Sequence, residues 1–335
     1  MSLREYKKII FRGEHAELIT EGLPEIAADK VLVKACCSLI SPGTERAALT
    51  RIWDDAWFRE NPGYALAGDV IEVGRNVTNF EIGSRVITLR NHASLVVTST
   101  DPWDTLKIPE GVSYEVSTIL PLASVALHAI RRAQITLGET CVIIGAGIIG
   151  QIAVQLAKMD GAQRVIILDL EDTRLQQARE YGADLTINPS REDAIAKVFE
   201  ATLGKGASVI LEATGNVAVI PLMFKLAAHG GRIVCAGLME ETVPIPFNLE
   251  FLSRELTLIA AHQPHCPVTD HIYWQWTQQA NRKLLLEMLD SGKLRASELI
   301  THRFHVDAAP QVYERIKEGD RSMLGIVLEW QRTDP

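Results

Sequence analysis

The stretch TCVIIGAGIIGQIAVQLAKMDGAQRVIILDLEDTR, Thr140 to Arg174, leaves the chain few folds to choose from. A short β-branched run meets the loop Gly145-Ala146-Gly147-Ile148-Ile149-Gly150, and an amphipathic helix pattern, QIAVQLAKM, opens directly after it. The first glycine permits a tight turn, the second lets backbone N–H groups approach a pyrophosphate, and the third lets helix and strand pack closely. A second strand, RVIIL, leads into Asp169, nineteen residues after Gly150. Glycines alone are weak evidence, but strand, loop, helix, strand and acid in this order specify a dinucleotide site.

Asp169 stands where a carboxylate accepts hydrogen bonds from both ribose hydroxyls of an adenosine, and where a 2′-phosphate is repelled. Glu171 and Asp172 add to that repulsion. The expected cofactor is therefore NAD rather than NADP. Arg174 either stacks its guanidinium on the adenine or is an ordinary solvated helix residue.

At 335 residues the chain is long enough for two domains. Before residue 115 or so, short β-like runs (VLVKACCSLI, GDVIEVG, SRVITL, ASLVVTS) alternate with glycines, a pattern of a mostly antiparallel barrel. From Thr140 the rhythm is strand, helix, strand, with SVILEAT and RIVCAG continuing it, so a parallel doubly wound sheet is expected. One helix is well specified: Ser190 is its expected cap with Asp193 at the third position. Ile195, Val198, Phe199 and Leu203 line one face, and Gly204 ends it. After Pro264 the chain reads helix (KLLLEMLDSG), helix (APQVYERIKEG) and strand (GIVLEW).

A formal net charge of −8 argues against a nucleic-acid or anionic-membrane partner. The N-terminus, MSLREYKKIIFRGEH, has neither a signal-peptide core nor an anchor, which makes the cytoplasm the expected location. The apolar stretches 117–130 and 141–157 are broken by Pro121, His128, Gly145, Gly147, Gly150 and Gln151, so neither reads as a membrane span. Five cysteines without a CxxC pair suit reduced thiols, with Cys141 and Cys235 as core filler.

Across nearly its whole length the chain resembles the medium-chain dehydrogenase/reductase superfamily. The phrases that carry the resemblance are VLVKACCSLISPGTE, NPGYALAGDVIEVG, EIGSRVI, LKIPEGVSYEVSTILPLASVALHAI, the dinucleotide segment, YGADLTINP, VILEATGN, GGRIVCAGL, RELTLIAA and LITHRF. The resemblance implies an α/β architecture: a GroES-like, mostly antiparallel β-barrel catalytic domain over residues 1–122, completed by 263–335, and a Rossmann domain over 123–262. It implies that the active site is the cleft between them, with Ser124 and Val125 near the nicotinamide. Thr214 would lie along the cofactor, and Gly237 and Leu238 would offer backbone groups to its carboxamide. It also implies a homodimer paired through the edge strand Leu256 to Ala261, acting on a small-molecule substrate.

Zinc members of that superfamily carry a Gly-Ile-Cys-x-Thr-Asp phrase, a Gly-His-Glu phrase and a further Glu or Cys before the helix into the Rossmann domain. This chain departs at all three: Ser41 or Pro42 replaces the cysteine, Gly63-Tyr64-Ala65 replaces Gly-His-Glu, and Leu120 replaces the last ligand. A zinc site needs three protein ligands of N, S or carboxylate type. The phrase LISPGTER, at residues 39–46, therefore points to a zinc-free branch, with no metal expected.

Without a Lewis acid, another group must manage the proton that accompanies hydride transfer. Tyr64, at the lost histidine, is the candidate donor, Thr44 and Glu45 the candidate relay to solvent, and His92 is placed to enter the substrate pocket. The resulting expectation is an NAD-dependent, zinc-independent alcohol dehydrogenase-like oxidoreductase. Reduction of an activated double bond, as in the enoyl and quinone reductases of the superfamily, is the alternative within the same fold, although Asp169 counts against it. A dinucleotide-binding protein without turnover is the alternative from another class. His262, His265, Cys266 and His271 match no zinc spacing and read as surface or pocket lining. Trp53, Trp57 and Phe58 either cap the substrate cleft or pack inward from a helix.

Overall fold

The computed structural model describes residues 5–239, 242–269 and 271–331. The chain divides into two compact units, Met1–Pro121 with Pro267–Pro335, and Leu122–Cys266. The first opens with an antiparallel hairpin, β1 (Glu5–Arg12) and β2 (His15–Gly22), turned at Gly13 with φ +62°. The eleven-residue β3 (Lys30–Ile40) follows, then helices α1 (Pro42–Leu49) and α2 (Ala56–Glu60). Next come β4 (Leu66–Val73), β5 (Arg85–Thr88), β6 (Leu95–Ser99), β7 (Thr105–Lys107) and the short helix α3 (Tyr114–Ser117). β4 lies close along β3 because Gly68 carries no side chain: a Cβ there would stand 2.1 Å from the Lys34 carbonyl oxygen. Phe58 of α2 packs inward against Trp53, whereas Trp57 faces solvent.

Helix α4 (Leu120–Ala133) leads into the second unit. There β8 (Thr140–Ile144), α5 (Ile148–Met159), β9 (Arg164–Leu168), α6 (Asp172–Glu180) and β10 (Leu185–Ile187) alternate. The alternation continues through α7 (Ala194–Ala201), β11 (Ala207–Glu212), α8 (Ile220–Leu226) and β12 (Ala227–Cys235) to β13 (Thr257–Ala260). Every pairing in this six-stranded sheet is parallel, in the order β10-β9-β8-β11-β12-β13. The β-branched and aliphatic runs bury both faces, as a parallel sheet covered by helices requires. The order reverses beside β8, so loops leaving the carboxyl ends of β8 and β11 diverge and leave a crevice, the usual ligand position in such sheets.

The chain then returns to the first unit with α9 (Gln278–Asp290), β14 (Ile300–His305), α10 (Ala309–Lys317) and β15 (Gly325–Glu329). They complete a seven-stranded sheet, β14-β15-β3-β4-β5-β7, with β6 on β3 next to β15. Only β14 and β15 run parallel. Its ladders do not close on themselves among the described residues. Helix α9 is tied back by Arg282, which donates to the Trp103 carbonyl, and by Asp290, which accepts from Gly111 N at 3.1 Å.

The helix expected from Ser190 starts later. Its cap is Asp193, whose carboxylate accepts from Ile195 N and Ala196 N, while Ser190 turns back onto Asn188. Asp193 wins because its carboxylate reaches two free N–H groups of the first turn at once. Leu203, expected on the apolar face, lies past the helix end at φ +53° and is exposed. Gly204, with φ +78°, ends the segment as expected. The five cysteines are free thiols. Among the described residues no helix is long and apolar enough to cross a membrane.

Two expectations follow for stability. A Cβ at Gly150 would sit 1.8 Å from the Gly145 carbonyl oxygen, so Gly150→Ala should cost about 1–3 kcal/mol, read from the urea midpoint; an unchanged midpoint would show that the loop yields freely. His128, buried on α4, is pushed down from the ordinary 6.5 to about 4 by burial, then by Arg132, His262 and Arg131. The unfolded chain thus binds this proton first, and the native state is weakened as pH falls from 6.5 towards 4. His128→Gln should flatten that decline in denaturation midpoint, and a wild-type-like decline would remove His128 as its source.

Candidate active site

In the first unit, the phrase SPGTE is the start of a helix. Ser41 takes the cap position with extended backbone, Pro42 presets the first helical φ, and Glu45 reaches back to accept from Ser41 N at 2.7 Å. Glu45 is thereby drawn under the helix start and sealed from solvent. Its second oxygen meets His92 Nε2 at 3.1 Å and accepts from the Tyr313 hydroxyl of α10. His92 is equally sealed, with Nδ1 at 2.7 Å from Ser38 Oγ, which also accepts from Trp330 Nε1 at 2.9 Å. One consistent arrangement has Ser38 donating to Nδ1 while Nε2–H donates to the Glu45 carboxylate.

Gly63 explains why the imidazole fits. At φ +91° it turns the chain, and any Cβ there would overlap the His92 ring at 2.5 Å. The next residue, Tyr64, is half-buried. Its hydroxyl donates to Ser41 Oγ at 2.6 Å and lies 3.4 Å from Thr44 Oγ1, with Ser41 and Thr44 3.5 Å apart. Three hydroxyls therefore form a triangle over the first turn of α1. Burial, joined by the nearby Glu45 charge, pushes the Tyr64 phenol up, while Ser41 and Thr44 oppose this because they can turn to donate to a phenolate. Burial and Glu45 push Tyr313 up much further.

The sequence expectation is corrected at two residues. His92 does not enter a pocket, because its ring is enclosed by Glu45, Ser38 and Gly63. Glu45 has no route of its own to solvent, since both oxygens are taken by buried partners. Tyr64 and Thr44 do share one hydroxyl cluster, and Ser41 belongs to it too.

These donors do not suit zinc. Hydroxyls are poor ligands for it, the two better ligand types nearby are spent on each other, and burial holds the Cys37 thiol well above its usual range. Among the described residues no group of three or more His, Cys, Asp or Glu side chains is placed to hold a metal ion. His262 and His265 instead pair through their Nδ1 atoms at 2.6 Å.

In the second unit, the residues expected at a nucleotide site gather at the carboxyl ends of the strands. Gly145, at φ +102°, donates to the Leu168 carbonyl at 2.8 Å, and a Cβ on it would meet Thr214 at 2.7 Å. Gly147 caps α5, and a Cβ on it would meet no protein atom within 4 Å. The space over the positive end of the helix is thus open, and Ile148 and Ile149 begin the helix with free amides of the kind that bind anions. Asp169, just past β9, accepts from Ala146 N at 2.6 Å and Glu171 N at 2.9 Å. A carboxylate has about four acceptor sites, so it can still take ribose hydroxyls. Arg174 is half-buried on α6, and its carbonyl accepts from Gln151 Nε2 at 2.8 Å.

Sequence reasoning missed Glu212. Sealed at the end of β11, it accepts from Thr214 N and Thr214 Oγ1 at 2.5 Å each, from Gly215 N at 2.8 Å and from Gly237 N at 3.2 Å. One carboxylate thereby holds the loops that carry Thr214, Gly237 and the half-exposed Leu238. The signal was present: an acid closing an apolar strand, VILE, before a glycine turn. Ser124 is buried within α4, with Val125 partly buried beside it.

A family model described as "Zinc-binding dehydrogenase" matches residues 149–270. Sorbitol dehydrogenase from Homo sapiens is 33% identical over 215 residues, covering 64% of this chain and 56% of that protein, so the match spans little more than half of the relative's length. Sorbitol dehydrogenase from Gallus gallus is 30% identical over 305 residues, covering 81% of each. A solved oxidoreductase/dehydrogenase of unknown specificity from Escherichia coli shares the fold, with a TM-score of 0.84 at 22% identity over 97% of this chain and 99% of that one. By this sequence likeness, and with the α/β fold to match, the chain belongs to the medium-chain, alcohol dehydrogenase-like dehydrogenase/reductase superfamily.

Proposed function

We propose that this chain is an NAD-dependent oxidoreductase that interconverts an alcohol and a carbonyl without zinc. The observation that carries the reading is the Ser41–Thr44–Tyr64 hydroxyl triangle, a proton-handling group where the resemblance implies metal ligands. The first unit is read as GroES-like and catalytic, and the second as a Rossmann domain, supported by its strand order and by the open cradle over Gly147.

The nucleotide residues fit NAD. Backbone amides at Gly147 to Ile149 favour the pyrophosphate, and Asp169 binds ribose hydroxyls while repelling a 2′-phosphate. When bound, the oxidised nicotinamide supplies a hydride acceptor. The protein's part is to hold and move a proton. Tyr64 binds the substrate oxygen and exchanges a proton with it, and the raised phenol stays protonated at neutral pH, ready to donate in the direction of carbonyl reduction. Thr44, half-buried at the cluster edge, passes the proton outward. Thr214, Gly237 and Leu238 hold the nicotinamide half, with Ser124 alongside. The edge strand β13 pairs only with β12 among the described residues and supports a homodimer. Five free thiols support a reducing, cytoplasmic compartment.

Titration of the protein with each nucleotide should show NAD⁺ binding at least about tenfold more tightly than NADP⁺, a difference of about 1.4 kcal/mol. Asp169→Ala should weaken both and erase the ratio; tighter binding of NADP⁺ by the wild type would overturn the cofactor assignment. Against a panel of alcohols with NAD⁺, Tyr64→Phe should lower kcat by about 10²–10⁴-fold and leave NAD⁺ affinity unchanged. Metal analysis of the same active preparation should find far less than one zinc per chain. Stoichiometric zinc required for turnover would sink the zinc-free assignment, and unchanged turnover in Tyr64→Phe would sink the role of the phenol.

A further inference from the structure

Beneath the hydroxyl triangle lies a buried assembly with no access of its own to a substrate. Glu45 and His92 are both sealed, 3.1 Å apart, and enclosed by Ser38, Gly63, Tyr313 and the backbone amide of Ser41. Isolating a carboxylate this thoroughly costs several kcal/mol unless hydrogen bonds return it, and three donors converge on its two oxygens. Breaking such a pair would be strongly destabilising, yet an apolar trio would fill the same space at no desolvation cost. Hydrogen bonds join the assembly to the triangle at Ser41. Ser41 gives its amide to Glu45 Oε1 and takes the Tyr64 hydroxyl on its Oγ.

We propose that Glu45, backed by His92 and Tyr313, is a positioning residue for the Tyr64 hydroxyl and acts on it through Ser41. This rests on the reading of Tyr64 as the proton-handling group. The amide bond fixes the Ser41 backbone, hence the direction of its Oγ, hence the point at which the phenol hydrogen is held. The Glu45 charge near the phenol also disfavours phenolate and keeps the donor loaded. His92 and Tyr313 hold that charge in place, with Ser38 and Trp330 holding His92. Thr44 is a further polar neighbour of the phenol.

Direct observation of Tyr64 tests this without a known substrate. In the full-length protein labelled with ¹³C at tyrosine Cζ, the Tyr64 resonance among the six tyrosines is assigned by its loss in Tyr64→Phe. Its titration midpoint should fall by about one pH unit in Glu45→Gln, which removes the charge and keeps the shape. It should rise in Ser41→Ala, which keeps the amide bond to Glu45 and removes a hydroxyl able to donate to phenolate. Opposite shifts support the proposal. A Tyr64 midpoint that does not move in a Glu45→Gln protein with a native melt overturns it. If Glu45→Gln does not fold, Tyr313→Phe is titrated in its place, because it takes one donor from Glu45 and leaves Ser41 and Tyr64 intact: a shifted Tyr64 midpoint supports the proposal and an unmoved one rejects it. Turnover of Tyr64→Phe separates the two levels. Lost turnover with unmoved midpoints rejects only the positioning role, whereas unchanged turnover rejects the role of Tyr64 itself.

Discussion

A carboxylate wholly or partly removed from water must find donors, and in this protein three carboxylates find them on loop and helix-start backbone. Glu45 takes the amide of Ser41, Asp169 takes those of Ala146 and Glu171, and Glu212 takes those of Thr214, Gly215 and Gly237. Each hydrogen bond to a charged group contributes roughly 1.5–3 kcal/mol, so two to four together offset much of the desolvation. The geometric consequence matters more than the energy. A loop whose amides converge on one point has a single conformation, and chemistry that depends on placement within a fraction of an ångström needs that.

The second unit shows how such clamps build a nucleotide cradle from short-range rules. The parallel order puts the ends of β8, β9, β11 and β12 side by side. Gly145 and Gly150 let the loop after β8 fold tightly, to the point that side chains at either position would collide with Thr214 or with the Gly145 carbonyl. Asp169 then fastens that loop from β9, and Glu212 fastens the loops after β11 and β12 to each other. On the proposed NAD reading Asp169 has a second task besides holding the loop, so replacing it to relax cofactor choice also loosens the cradle.

Legibility from sequence follows how local the physics is. The glycine loop, β8, β9 and Asp169 could be read because every partner lies within a few dozen residues and each residue type has a stereochemical reason. The helix after Asn188 was misplaced by three residues because Ser190 and Asp193 are both competent caps, and only the side-chain bond from Ser190 to Asn188 takes the first out of competition. His92 and Glu45 stand out in the sequence as residue types, but their complete burial does not. Their partners stand 47 and 268 residues away in the chain, and no periodicity reports that α10 delivers Tyr313 onto a carboxylate of α1. Glu212 had a local sign, an acid at the close of an apolar strand, which a search for donors rather than ligands would have caught.

In a zinc-free site of the kind proposed, the work falls to other groups. A metal lowers the acidity barrier of a bound oxygen by its own charge, and hydroxyls carry none, so a hydroxyl cluster acts only through hydrogen bonding and through how firmly its proton is held. Tyr64 is pushed up by burial and by Glu45, and drawn back by Ser41 and Thr44. A phenol in that balance is a weak acid in the free protein. A nearby positive charge, or a developing negative charge on a bound oxygen, makes such a phenol a better proton donor. On the proposed reading, these opposing influences set how firmly Tyr64 holds its proton, with burial and Glu45 favouring the neutral phenol.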